Sequence, residues 1–307
     1  MTSPSIPPFA GLSTFGRQPH SRDLNGVDVA IVGIPYDSAT SYRSGTRFGP
    51  RAIREQSLLL WGYNNGLQVA PFDVLKVIDY GDVDVIPVDI LGTYAAIQQE
   101  VGQLVAAGVR VISLGGDHSI ALPLLRAHHQ QYGPLAVIHF DAHPDTWDEE
   151  FPGRKFSHGT PFRRAIEEGL IDTSAYVQIG IRGPTPAAGD YDDSRRLGAR
   201  MITFDEADEL GVDGVLAEIK QRVGSRPAYL TFDIDAVDPA FAPGTGTPEV
   251  GGFTSAQILK VVRGLQGVNL VGCDLVEVSP PFDSQGITAI LAANLAFEFL
   301  SLMAKMA

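Results

Sequence analysis

The chain has 307 residues, 44% of them apolar and 19% charged, which is typical of a globular protein with a substantial core. Its formal net charge of −13 argues against nucleic acid or an anionic membrane surface as a partner. Its single cysteine, a start without a secretory signal and no apolar run of roughly 18 residues together predict a cytoplasmic protein that does not span a membrane.

Six short apolar segments are predicted to be strands, because each is nearly continuous in apolar residues and ends in Gly, Asp or His. They are VDVAIVGIPYD (27–37), VRVISLGGDHS (109–119), LAVIHFDAH (135–143), AYVQIGIR (175–182), AYLTFDID (228–235) and VNLVGCDLVEVSP (268–280). Helical spacing of apolar residues predicts helices over 88–108, 122–133, 162–170, 212–224, 255–267 and 289–307. This alternation predicts a single α/β domain over residues 1–307, with helices covering both faces of a parallel sheet.

Polar side chains collect where the predicted strands end, the edge at which open α/β sheets bind ligands. Three strand ends contribute, with GGDHS giving Asp117 and His118, HFDAHPDT giving His139, Asp141, His143 and Asp145, and FDIDAVDP giving Asp233, Asp235 and Asp238. The alternate positions in HFDAHPDT place its four side chains on one side of the sheet. Each residue alone is more often a turn former, a helix cap or a buried histidine, so the prediction rests on their combination.

Several carboxylates facing one crevice need compensating cations. At about 4 Å and an effective dielectric constant near 20, each carboxylate pair costs on the order of 4 kcal/mol. Two divalent ions would balance four carboxylates, and mixed oxygen and imidazole ligands suit Mn²⁺ or a similar metal. We therefore predict a metal site here, with His139, one pleat deeper, as a hydrogen-bonded histidine rather than a ligand.

Hydrolysis is the predicted chemistry, because water held between two such ions loses a proton near neutral pH. Phosphate esters fit poorly, since these strand ends carry few basic residues. Glu277 after the last strand favours a cationic substrate, unless it pairs with an Arg or Lys on a helix. His158 could pass a proton to the leaving group or be an ordinary loop histidine. Thr245 and Thr247 in PGTGTP could orient the substrate or only form a turn.

The chain resembles the ureohydrolase family of arginases, agmatinases and guanidinobutyrases. Three motifs carry the resemblance, GGDHS (115–119), HFDAHPDT (139–146) and FDIDAVDPAFAPGTGTP (232–248), and it extends from GIPYDSATSYRSGTRFGPRAIR (33–54) to DLVEVSPPFD (274–283). It implies a three-layer α/β/α arginase-like fold with a mainly parallel sheet. It also implies two Mn²⁺ ions per subunit, with Ni²⁺, Co²⁺ or Zn²⁺ as alternatives, and a homo-oligomer, either a trimer or a hexamer.

The resemblance also implies a role for each residue of the site. One ion would be bound by His118, Asp141, Asp145 and Asp233, and the other by Asp141, His143, Asp233 and Asp235. Glu277 would hold the guanidinium, His158 would protonate the departing amine, and Asp145 would steady the attacking hydroxide. The products would be urea and a primary amine.

The resemblance leaves the choice of guanidine open. Agmatine is the first candidate, and a guanidino acid such as 4-guanidinobutanoate, guanidinopropanoate or a proclavaminic-type substrate is the alternative. Arginine fits less well, because Gly183 follows Arg182 where arginases carry an Arg-Asp pair.

The loop TWDEEFPGRKFSHGTPFRR (146–164) is expected to make this choice. The acidic residues that would suit the ammonium group of agmatine are Asp148, Glu149 and Glu150, and the basic residues that would suit a carboxylate are Arg154, Lys155 and Arg163. Trp147, Arg163 and Thr247 are the predicted substrate contacts besides Glu277.

Pro144 is a departure from many relatives, which have Ser or Thr there, and it could reshape the pocket. Two other functions stay open. A formimidoylglutamase would release formamide instead of urea, but PGTGTP and GTRFGPRAIR favour the guanidine branch. An inactive partner subunit need not retain all six ligands, and this chain has them all.

Overall fold

A computed structural model describes residues 7–307, and one eight-stranded sheet organises them. The strands are β1 (Val29–Ile34), β2 (Val77–Asp82), β3 (Arg110–Gly115), β4 (Leu135–Phe140), β5 (Ile171–Ile181), β6 (Arg200–Thr203), β7 (Ala228–Asp233) and β8 (Leu270–Val276). Their order across the sheet is β2-β1-β3-β8-β7-β4-β5-β6, and all neighbours are parallel. The predicted α/β class and parallel sheet are confirmed.

Helices cover both faces of the sheet. Within residues 7–307 the α-helices are α1 (Gly49–Ser57), α2 (Pro71–Val74), α3 (Ile90–Ala106), α4 (Ala121–Tyr132), α5 (Pro161–Glu167), α6 (Asp190–Arg196), α7 (Phe204–Val223), α8 (Ser255–Gly264) and α9 (Ile287–Ala304). One core cluster joins the sheet to α1, α7, α8 and α9, and a second joins its other face to α3, α4 and α5. The result is a three-layer α/β/α architecture.

The sequence did not predict the strands β2 and β6 or the short helices α1, α2 and α6. The strands β2 and β6 form the two edges of the sheet. The sequence of β2, VIDYGD, is interrupted by Asp and Gly, and β6 has only four residues, so neither shows a long apolar run. Helix α7 starts eight residues before the predicted helix at 212, but Gly211 has a φ of +64° and interrupts it there.

The C-terminal helix is long and apolar enough to cross a membrane by composition alone. The segment Ser284–Ala304 has a mean hydropathy of 1.8 over its most apolar 18 residues, yet 83% of that window is buried inside the protein. Helix α9 packs in the core cluster with α1 and α8, so burial in the core explains most of its apolar character.

The topology brings the predicted site together. The strands β3, β8, β7 and β4 are consecutive neighbours at the centre of the sheet. Because they are parallel, their carboxyl ends meet at one edge, and every predicted metal ligand follows or ends one of them.

Candidate metal centre

His118 lies at the centre of the first group of ligands. It begins the short turn after β3, and it is buried. Its Nδ1 lies 3.0 Å from Asp141 Oδ2, 3.0 Å from Asp145 Oδ2 and 3.3 Å from Asp233 Oδ2. No hydrogen bond satisfies this buried nitrogen. Three carboxylates from two other strands therefore converge on one unpartnered imidazole nitrogen.

His143 forms the second group. Its Nδ1 lies 3.1 Å from Asp235 Oδ2 and 3.4 Å from Asp141 Oδ1. The backbone fixes both carboxylates, since Ala142 N–H donates to Asp235 Oδ1 and His143 N–H donates to Asp141 Oδ1. Asp141 thus takes part in both groups, one oxygen facing His118 and the other facing His143.

His139 lies beside the first group. Its ligand atom lies within 4.8 Å of those of His118, Asp141 and Asp145, so distance alone permits it as a ligand. However, its Nε2 lies 2.8 Å from Asp141 Oδ2, and its Nδ1 lies 3.0 Å from Tyr176 Oη. Both ring nitrogens are engaged, which supports the prediction that His139 orients Asp141 instead of binding metal.

The carboxylates of this cluster repel one another and are buried. Burial and the neighbouring Asp141 raise the pKa of Asp145 to about 7. Burial, Asp235 and Asp141 likewise raise the pKa of Asp233 well above its usual value. Asp141 differs, because contacts with the surrounding histidines outweigh burial and hold its pKa well below the usual range. A nearby cation would oppose the raised pKa values of Asp145 and Asp233, because it favours the charged carboxylates.

The donor set fits two metal ions. The two groups overlap at Asp141, and each offers both carboxylate oxygens and imidazole nitrogen within a few ångströms. Such mixed ligands suit Mn²⁺ and similar divalent metals. The unpartnered His118 Nδ1 is an independent sign, since a buried nitrogen facing three carboxylates needs a cation or a proton between them.

Two predicted site residues have unusual backbone conformations. Asp145 has a φ of +48° and Glu277 has a φ of +62°, in the left-handed region that non-glycine residues rarely adopt. Strain of this kind persists where the surrounding structure holds a side chain in a required place. Pro144 precedes Asp145, and its carbonyl accepts a hydrogen bond from Gln178 Nε2. His143 and Asp145, on either side of Pro144, both reach the cluster, so the proline leaves the ligands in place.

Glu277 and His158 form a buried pair next to the predicted metal ligands. Glu277 Oε1 accepts a hydrogen bond from His118 N–H and lies 2.9 Å from His158 Nδ1. Its Oε2 is buried without a partner. Although burial lowers the pKa of His158, contacts with Glu150 and Glu277 raise it well above its usual value. The pair places a proton donor beside a free carboxylate oxygen.

Ser41 is a site residue for which the sequence analysis predicted no role. Its backbone nitrogen lies 3.0 Å from His158 Nε2, and its Oγ lies 2.9 Å from the same nitrogen. Ser41 lies in the loop after β1, inside the stretch SATSYRSGTRFG that carries part of the family resemblance. That resemblance was the only signal, because serine in a polar loop has no distinctive pattern.

A cavity of about 190 Å³ opens above the cluster. Its lining residues are Ser41, His143, Asp145, Trp147, Glu150, His158, Gly159, Pro184, Asp233 and Thr247. Trp147 is held by a hydrogen bond from Nε1 to Asp190 Oδ2, and Thr247 Oγ1 lies 3.4 Å from Asp235 Oδ2. The predicted contacts Trp147 and Thr247 are therefore at the cavity.

Several residues of the variable loop lie elsewhere. Arg163 is not among the lining residues, because its guanidinium pairs with Glu167 one turn along α5, so the structure does not support its predicted substrate contact. Asp148 pairs with Arg164, and Glu149 accepts a hydrogen bond from Gly153 N–H. Arg154 and Lys155 are exposed, Thr245 is buried, and none of the three lines the cavity. Of the six charged loop residues proposed to contact a substrate tail, only Glu150 lines the cavity.

Comparisons with known proteins agree with this site. The sequence model of the arginase family matches residues 27–301 of this chain. Three relatives align with nearly the whole chain. A guanidinobutyrase from Pseudomonas aeruginosa is 46% identical, and the alignment covers 97% of this chain and 94% of the guanidinobutyrase. A guanidinopropionase from the same organism is 48% identical, and the alignment covers 98% of this chain and 95% of the guanidinopropionase. An agmatinase from Chromobacterium violaceum is 45% identical, and the alignment covers 96% of this chain and 89% of the agmatinase.

The fold gives the same result. The solved structure of proclavaminate amidinohydrolase from Streptomyces clavuligerus superposes with a TM-score of 0.94 at 45% identity, covering 98% of this chain and 100% of that chain. The chain belongs to the arginase family. It is a ureohydrolase, a hydrolase that acts on the C–N bonds of guanidino compounds.

Proposed function

We propose that this ureohydrolase releases urea from a linear alkylguanidine, and that agmatine, which would yield putrescine, is the first candidate substrate. The observation that carries this proposal is the charge of the cavity lining. Two metal ions would offset the charges of Asp145 and Asp233, so Glu150 is the acidic lining residue left to face a substrate, and none of the described lining residues is Lys or Arg. Agmatine carries a positive charge at each end, so Glu277 can pair with its guanidinium and Glu150 with its ammonium group.

The proposal requires two divalent metal ions, with Mn²⁺ as the first candidate. The residues that would hold them are His118, Asp141, Asp145 and Asp233 for one ion, and Asp141, His143, Asp233 and Asp235 for the other. When bound, such ions supply Lewis acidity and lower the pKa of water in the site. The overlap of the two groups at Asp141 supports a pair rather than a single ion.

The remaining chemistry falls to Glu277, His158 and Asp145. The unpartnered Oε2 of Glu277 is free to accept hydrogen bonds from a guanidinium and to pair with its charge. His158 has a raised pKa and lines the cavity, so it can carry the proton that the departing amine needs. Asp145 faces the same cavity and can accept a hydrogen bond from the attacking oxygen.

Arginine is a poor candidate on structural grounds as well. Gly183 has a φ of +83°, and a Cβ placed there would lie 2.6 Å from Glu249 Cδ. A residue with a Cβ rarely adopts this φ, so an acidic residue after Arg182 would strain the backbone here. Arg182 itself donates to backbone carbonyls, including those of Asp235 and Glu249, and so serves to hold the loop after β7.

A guanidino acid such as 4-guanidinobutanoate is the second candidate. The names of two of the relatives above, guanidinobutyrase and guanidinopropionase, favour it. The cavity does not, because a carboxylate tail would face Glu150 with no Lys or Arg among the described lining residues.

The test is a urea-release assay with Mn²⁺-loaded protein on agmatine, 4-guanidinobutanoate, guanidinopropanoate, arginine and guanidine. We expect the highest kcat/KM for agmatine, and no urea release above background after the metal is removed by chelation and dialysis. Adding Mn²⁺ back should restore the activity. A higher kcat/KM for 4-guanidinobutanoate would favour the second candidate, and full activity in metal-free protein would refute the metal-dependent mechanism.

The variant Glu150→Gln tests whether Glu150 selects between substrates by the charge of the group at the end opposite the guanidinium. We expect the ratio of kcat/KM for agmatine to kcat/KM for 4-guanidinobutanoate to fall about tenfold, equivalent to about 1.4 kcal/mol. The ratio is used because Glu150 also lies 3.5 Å from His158 Nε2, and an effect on proton transfer would alter both substrates equally.

The matched control is Glu149→Gln, which removes a neighbouring carboxylate of the same loop that is exposed and outside the cavity. An unchanged ratio in Glu150→Gln, or an equal fall in the control, would show that Glu150 does not select the tail.

A further inference from the structure

A chain of buried hydrogen bonds lies behind His118, on the ring nitrogen that does not face the carboxylates. His118 Nε2 lies 2.8 Å from Thr231 Oγ1. Thr231 Oγ1 in turn donates to Asp274 Oδ1 at 2.7 Å, and Tyr229 Oη donates to Asp274 Oδ2 at 2.9 Å. All four side chains are at most 1% exposed, so water does not compete for these bonds.

The sheet places this chain by its register. Thr231 on β7 lies directly opposite Asp274 on β8, and Tyr229 lies two residues before Thr231 on the same face. The strand β3, from whose end His118 projects, is the other neighbour of β8. The central strands that carry the metal ligands therefore also carry the residues behind one of those ligands.

The direction of each proton follows from the donor inventory. A threonine hydroxyl has one hydrogen, and that of Thr231 is used on Asp274. Thr231 Oγ1 can then only accept from His118, so the hydrogen of the neutral imidazole must lie on Nε2. The lone pair of the ring is left on Nδ1, the atom that faces Asp141, Asp145 and Asp233.

We propose that Thr231 and Asp274 are positioning residues that fix His118 as the Nε2–H tautomer and so present Nδ1 as a metal ligand. This inference rests on the proposed metal centre and deepens it. Hydrogen bonds to the second nitrogen of a ligating histidine fix its orientation and raise its basicity, and their loss typically weakens metal affinity by about 10- to 100-fold. Here the bond is made through a hydroxyl whose own direction is set by Asp274.

The experiment measures Mn²⁺ binding to metal-free protein by calorimetry, together with metal content after dialysis. In Thr231→Val, which keeps the side-chain shape but has no hydroxyl, we expect one of the two Mn²⁺ ions to bind about 10- to 100-fold more weakly. The other ion should keep its affinity within about threefold, because Thr231 makes its hydrogen bond to His118, a ligand of only one ion. Thr231→Ser keeps the hydroxyl and should bind both ions as the wild type does.

If the valine variant does not fold, Thr231→Ala is compared with Thr231→Ser. These two variants differ only in the hydroxyl, so their difference in Mn²⁺ affinity measures its effect. Tyr229→Phe is the matched control, since it removes the other bond to Asp274 but leaves the one to Thr231. Unchanged Mn²⁺ affinities in a folded variant without the hydroxyl, or equal losses with and without it, would overturn the inference. A wild type that binds no pair of ions would instead refute the metal centre itself.

Discussion

Replacing Glu277 by glutamine is expected to lower kcat/KM for agmatine by a factor of about 10² to 10³ while both metal ions remain bound. The reason is the loss of one charge of a buried pair, because truncating one partner of such a pair costs about 3–4 kcal/mol. Glu277 is 1% exposed, and its Oε2 has no hydrogen-bond partner among residues 7–307, so a guanidinium would be its counter-charge. Steady-state urea release and metal analysis of the same sample measure both effects.

The pH profile of this variant separates two roles of Glu277. Although burial lowers the pKa of His158, Glu150 and Glu277 raise it, so removing the charge of Glu277 lowers that pKa. A general acid is active while protonated. The activity of Glu277→Gln should therefore fall off at a lower pH on the alkaline side than that of the wild type. Normal kinetics with an unchanged profile would make Glu277 a purely structural residue.

Replacing Asp235 by alanine is expected to remove one metal ion and to reduce urea release to background. Asp235 Oδ2 lies 3.1 Å from His143 Nδ1, and the two residues with Asp141 form the second group of ligands. Losing one of the few protein ligands of an ion removes most of its binding free energy, and the proposed chemistry needs both ions. Metal content measured after dialysis should fall from two ions to one per chain.

Asp238→Ala is the matched control for this variant. Asp238 lies three residues further along the same loop, and its carboxylate accepts hydrogen bonds from the backbone of Ala240, Gly251 and Gly252. It is not part of either ligand group. The control should keep two ions even if it is less stable to heat. Two ions retained in Asp235→Ala would refute the ligand role of Asp235.

The sequence predicted the centre of the molecule better than its margins. Buried parallel strands are nearly continuous in apolar residues, so β3, β4, β7 and β8 could be recognised together with the polar residues that end them. Edge strands need no such run, and β2 and β6 were missed. The candidate metal ligands could be proposed from the sequence because several carboxylates and imidazoles at strand ends form a rare combination, and the structure brings them close together.

The part of the site that contacts the substrate was less predictable, because the sequence does not show where a charged side chain of a loop points. Arg163 and Glu150 are both charged residues of one loop, yet Arg163 pairs along α5 and Glu150 turns into the cavity. Which of them faces a substrate depends on tertiary contacts such as that of Glu150 with His158. The role of the Thr231 hydroxyl could not be predicted for a similar reason. Its partner Asp274 lies opposite it on the neighbouring strand, and the sequence does not show that pairing.

The most direct test of this account is anomalous diffraction at the manganese edge from crystals grown with saturating Mn²⁺. The account predicts two strong peaks roughly 3.5–4 Å apart. One should touch His118, the other should touch His143, and Asp141 should touch both. A single peak, or strong peaks away from these three residues in fully loaded crystals, would contradict it.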